Sequence, residues 1–149
     1  MKLSFRTALK TFIGVLFLAG VVWVGWKFQP WMPAGQAVYL TSAHLDDCDF
    51  QVWQRKNAGL SEPFATGLFV RRAGSPWEVF LLDIQDIYRP TISLRKESRG
   101  IVVLSDGDEL GVLDSSQGIY KKPNGVSRTG DPINSDPPGN WWTEAAGKW

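Results

Sequence analysis

His44-Leu45-Asp46-Asp47-Cys48-Asp49 is the one stretch where an imidazole, a thiol and carboxylates crowd together. Those residue types hold transition metals or build a nucleophile with its base. The spacing works against both uses. Along one extended strand residues 44 and 48 share a face but stand roughly 13 Å apart, too far for a thiol–imidazole pair. His44 is the only histidine and Cys48 the only cysteine, so carboxylates would have to complete any zinc site. The segment reads as a polar loop between two strands.

Asp106, Asp108 and Glu109 have the alternating acids that open a calcium loop, but the rest of that loop is missing. Its fifth position is Leu110, and its twelfth is Gln117 where a bidentate glutamate belongs. Asp106-Gly107 is better explained as a two-residue hairpin turn, whose positive φ angles suit Asp and Gly. Glu78, Asp83 and Asp86 offer carboxylates for glycoside chemistry, yet nothing in the sequence sets the separation that such a pair needs. Phosphate-binding glycine loops and a nucleophile elbow are absent. We therefore expect no enzyme, no metal and no cofactor.

Tryptophan is the distinctive residue, with eight in 149. Trp23, Trp26 and Trp31 cluster with Lys27 at the end of an apolar run, where amphipathic rings and a snorkelling ammonium suit a membrane interface. Trp77 heads the most apolar strand and reads as core. Trp53 shares its strand face with polar Gln51 and Arg55, which marks it as a contact residue. Trp141, Trp142 and Trp149 follow a stretch with seven Pro or Gly in nineteen residues. They suit docking, either onto their own sheet, into a partner protein or at the membrane surface.

The elements that would position these residues follow from hydrophobic patterning. Thr11 to Trp26 runs for sixteen residues without a charge, enough to cross a bilayer with help from Leu9, Phe28 and Trp31. Lys2, Arg6 and Lys10 precede it, which directs the N-terminal side to the cytoplasm and the rest outside, which in a bacterial cell with the helix in its inner membrane is the periplasm. A cleaved signal peptide has the same layout, with Gly35 and Ala37 as its small residues; bulky Trp31 and Met32 favour a retained single-pass signal-anchor. The helix carries no mid-span charge and no pair of glycines at four-residue spacing, so it reads as a passive tether.

Pro30, Pro33 and Gly35 make residues 30–36 a linker. From 37 to 122 short apolar or alternating runs recur between Gly, Pro, Asp and Asn, predicting an antiparallel β-sandwich or partly open barrel. The predicted strands are 37–42, 50–55, 65–72, 77–84, 91–95, 101–105 and 109–114, with 119–121 as an eighth. Val79-Phe80-Leu81-Leu82 lacks alternation, which predicts a central strand covered on both faces; a helical turn at 83–88 competes with its end. Residues 123–149 read as an irregular tail.

Residues 38–149 carry 12 Lys/Arg against 15 Asp/Glu. That mildly acidic surface disfavours nucleic acid as a partner. The expected role is a membrane-anchored interaction module, an accessory or assembly subunit of a membrane complex. A periplasmic glycan or small-molecule binder and an immunity or inhibitor protein are the alternatives.

Overall fold

The computed structural model describes residues 5–28, 35–57, 63–82 and 87–139. They form two compact units that divide after Pro33. The first contains helix α1, Phe5–Phe28, whose segment Ala8–Trp26 has a mean hydropathy of 2.0 and no buried residue. At 1.5 Å per residue those 19 residues span about 28 Å, close to a bilayer's hydrocarbon thickness. From Thr11 to Trp26 the helix carries no charge on any face, as the uninterrupted run predicts.

The second unit is all β. Its strands are β1 (Ala37–Leu45), β2 (Cys48–Lys56), β3 (Phe64–Arg72), β4 (Trp77–Leu82), β5 (Ile92–Glu97), β6 (Gly100–Ser105), β7 (Asp108–Asp114), β8 (Ile119–Lys121), β9 (Ser127–Thr129) and β10 (Asp131–Ile133). They pair antiparallel throughout, in two five-stranded sheets ordered β1-β2-β3-β4-β10 and β5-β6-β7-β8-β9. All eight predicted strands are present: β1 and β2 are each three residues longer than predicted, most others differ by one, and the last two residues of the predicted 77–84 lie outside the described residues. Residues 83–86, which carry most of the rival helical turn, lie outside the described residues.

Turn chemistry explains the hairpins. Asp106 and Gly107 have φ of 51° and 96°, the left-handed pair that the Asp-Gly signal predicts. Asp46 and Asp47 adopt φ of 52° and 59°, so the expected polar loop is a two-residue hairpin turn. Aspartate tolerates this region because its short side chain bonds locally.

Alternation along the paired strands puts Phe50, Val52, Leu68, Val70, Phe80 and Leu82 of the first sheet in one buried cluster with Ile92, Ile101, Val103, Leu113 and Tyr120 of the second. Each large apolar side chain taken out of water there contributes about 1.5–3 kcal/mol. A separate cluster, Ala65, Phe69, Trp77, Val79, Leu81 and Ile133 with half-buried Trp53, lies on the other face of the first sheet. β4 is therefore buried on both faces, as its unbroken apolar run predicts.

Residues 127–133 depart from the irregular tail expected from 123 onward: they form β9, paired with β8, and β10, paired with β4. Only Gly130 separates the two, so the chain passes from one sheet to the other at this residue. A Cβ at Gly130 would lie 2.7 Å from the Phe80 ring and 2.9 Å from the Glu78 Cβ, a close approach that only glycine permits. Pro132 is tolerated because β10 ends its sheet's order. Density of Pro and Gly thus marks short terminal strands here as well as turns.

Candidate functional site

The Asp46-Asp47 turn aligns His44 with Asp49 and Leu45 with Cys48. Adjacent side chains on a strand point to opposite faces. Cys48 accordingly enters the shared core, while His44 and Asp49 face the other way and bond to each other. Burial pushes the Cys48 thiol up, which favours the neutral form and withholds the thiolate that nucleophilic chemistry needs.

His44 instead begins a row across the first sheet. Its Nδ1 lies 2.9 Å from Asp49 Oδ1, and Arg71 Nη2 donates to Asp49 Oδ2 at 2.9 Å. The Arg71 guanidinium sits 4.6 Å from the Trp77 ring centroid. Trp77 Nε1 in turn donates to Asp136 Oδ1 at 3.1 Å. The hydrogen bonds from His44 and then Arg71 hold the Asp49 carboxyl below its ordinary range. The row ties β1, β2, β3 and β4 together side chain to side chain, a geometry that suits cross-strand bracing.

Asp106 Oδ1 accepts from Thr91 N at 3.2 Å, which engages the first acid of the calcium-like segment in holding the entry to β5. Glu109 pairs with Arg99 at 2.5 Å, and Arg99 also meets Glu97, which bonds Arg95. The two arginines hold the Glu97 carboxyl down. Arg99, Glu109, Val112, Asp114, Lys121, Lys122 and Pro123 line a surface cleft of about 460 Å³. Its lining combines three cations with two carboxylates. Glu78 lies in β4, whereas Asp83 and Asp86 lie outside the described residues.

Trp53 is half-buried, donates from Nε1 to Gln51 Oε1 at 2.9 Å and meets the exposed Tyr39 ring edge-on, at 5.3 Å and 72°. Trp23 and Trp26 are exposed along α1. The Lys27 side chain, Trp31, Trp141, Trp142 and Trp149 lie outside the described residues. Among the described residues no three of His, Cys, Asp and Glu are placed to hold a metal ion.

Gln54 escaped sequence reasoning. It is buried in register with Cys48, Phe50 and Val52, donates to Ile87 O at 2.7 Å and accepts from Arg89 N at 2.9 Å. That amide pins the connection leading from the first sheet into β5. The only signal was a polar residue at an inward position of an alternating strand. Beside this connection a second cleft, about 410 Å³, is lined by Tyr39, Leu40, Thr41, Arg89, Pro90, Thr91 and Ile92. It flanks β1, which ends its sheet's order and is irregular between Tyr39 and Thr41.

No protein-family model, curated protein or solved structure is significantly similar to the chain.

Proposed function

We propose that the chain is a membrane-tethered interaction module that works through contacts rather than catalysis, as an accessory or assembly subunit of a membrane complex. In this reading α1 crosses the inner membrane of a bacterial cell with its N-terminal side in the cytoplasm. The β-unit then lies in the periplasm as an antiparallel sandwich or partly open barrel. The observation that carries the reading is the pairing of an apolar helical segment, Ala8–Trp26, that has no buried residue with a β-unit that has its own core. A free helix of that composition is stable only with its apolar surface out of water. Lys2, Arg6 and Lys10 supply the orientation, and the shared cluster of the two sheets supports the sandwich.

Tyr39 and Trp53 are the contact residues this reading favours, with the tail tryptophans as further candidates. A sugar-stacking platform would present coplanar rings, and an edge-on pair at 72° does not favour one. The test is mild-detergent extraction of the native protein, with intact-mass analysis, protease digestion of sealed vesicles and chemical cross-linking. The expected result is a chain that retains residues 1–37, is cut in its β-unit only from the outer side, and cross-links to one stoichiometric membrane protein. A soluble species beginning at Val38, or a β-unit cut only from the cytoplasmic side, would overturn the reading.

A further inference from the structure

An end strand presents a row of backbone groups that another strand can join, and chains commonly blunt such edges with short length, proline or charge. Among the described residues the two sheets have four end strands, and three of them are blunted. β10 is three residues long and contains Pro132, β9 is three residues long with Arg128 at its centre, and β5 ends in Arg95-Lys96-Glu97. β1 is the exception. It runs nine residues without proline, lysine, arginine or a carboxylate, and none of the nine is buried. β5 approaches it through side chains, Lys96 pairing with Asp46, while no ladder joins the two strands among the described residues.

Strand register and charge narrow what fits this edge. Leu45 and Cys48 close the two-residue turn as a hydrogen-bonded pair, so the N–H and C=O groups of Ser42 and His44 point away from β2. Two copies of β1 opposed antiparallel about Ser42 exchange those groups and set His44 of one beside Leu40 of the other. The same two-fold brings the Asp46-Asp47 turn of each copy to the Tyr39–Thr41 end of the other. Arg89 stands at that end, in a cleft with Tyr39, Leu40 and Thr41 whose lining includes no carboxylate. Buried Gln54 accepts from Arg89 N at 2.9 Å and holds that residue at φ of 51°. Asp46 is engaged by Lys96, whereas Arg89 and Asp47 are both exposed and take part in none of the ion pairs among the described residues.

We propose that β1 is the two-fold contact of a homodimer: β1 of one chain adds antiparallel to β1 of a second copy, and Arg89 of each copy meets Asp47 of the other. The two first sheets then continue into one another, and each unblunted edge is closed by its own equivalent. Such a contact is isologous, so it ends at two chains and leaves no edge to propagate. This inference goes beyond the tethered-module reading and is independent of it, since it rests on the sheet edges and stands whether or not α1 spans a membrane.

The test is sedimentation of the full chain in mild detergent, combined with disulfide trapping of Ser42→Cys, on the two-fold, and of Ser127→Cys, exposed in β9. The expected result is a concentration-dependent dimer that mild oxidation links at Ser42→Cys and not at Ser127→Cys. A chain that stays monomeric at every concentration overturns the proposal, and so does a dimer trapped equally at both positions or at neither. Arg89→Gln and Asp47→Asn should each weaken the dimer several-fold, and together no more than either alone, because the second change removes a charge already without its partner. Losses that add, or no loss at all, overturn the charge contact and with it the register about Ser42. Near-UV circular dichroism shows whether each variant keeps its fold, and trapping decides where one does not. Membrane topology is read separately, so this proposal and the tethered-module reading fail on different results.

Discussion

β3 and β4 bury apolar side chains on both faces, whereas β6 and β7 send one face into the shared core and turn the other toward ions. On the second sheet's outer face the register sets Arg95 and Val112 on either side of Val102, and Val102 is buried although it joins neither apolar cluster. Arginine stems can cover a single valine while their guanidinium groups pair with Glu97 and Glu109 in water. On the first sheet Phe69, Val79 and Leu81 stand together and require a continuous apolar layer. The difference teaches that burial alone does not define a core. An isolated apolar residue under charged stems and a contiguous cluster under a second layer place different demands on the rest of the chain.

The sharpest way to break this comparison is to truncate one ring on each face of the first sheet. Phe80→Ala removes a ring from the shared core and should cost about 3–5 kcal/mol. If the outer cluster is equally packed, Phe69→Ala should cost as much in equilibrium denaturation. A loss below about 1 kcal/mol at Phe69 would show that its face is open in solution and that β4 has one core face rather than two.

A smaller effect is expected where the two sheets are joined. Gly130→Ala drives a Cβ to 2.7 Å from the Phe80 ring, and overpacking of this kind costs about 1–3 kcal/mol. Thermal melts of the variant should shift down in a single transition. A variant as stable as the parent would mean that β9 and β10 adjust independently of the shared core.

The smallest effect belongs to the exposed ions. Asp49, Glu97 and Asp114 are all held below their ordinary carboxylate range, first by hydrogen bonds from His44, Arg95 and the Ser116 hydroxyl respectively. A lowered folded-state pKa stabilises above the unfolded value and loses that stabilisation as pH falls through the folded one. Denaturation midpoints should thus be flat above about pH 5 and decline below about pH 4. Added salt should shrink the decline, because the groups are solvent-exposed. A midpoint that instead rises on acidification would mean that the hydrogen bonds and ion pairs of Asp49, Glu97 and Asp114 do not stabilise the folded chain.

Much of this architecture was legible from local chemistry. The uncharged run of α1 and the Asp106-Gly107 turn follow from hydropathy and from φ preferences. The two-faced burial of β4 follows from four consecutive apolar residues. β9 and β10 were not legible, because Gly130 and Pro132 look like breakers until the Phe80 ring and the end of a sheet order show why they are tolerated there. Gln54 was equally hidden, since its partners, Ile87 O and Arg89 N, are 33 and 35 residues away in sequence.

The candidate chemistry divides the same way. Sequence alone determined that one histidine and one cysteine sit four residues apart, and that tryptophans gather in three groups. Only the fold decided that the Asp46-Asp47 turn would send Cys48 into the core and His44 to the opposite face, where Asp49, Arg71 and Trp77 extend it into a row. Composition and spacing are properties of the chain read in order. Which face a side chain occupies depends on strand register, and the long-range pairing of hydrophobic faces sets that register.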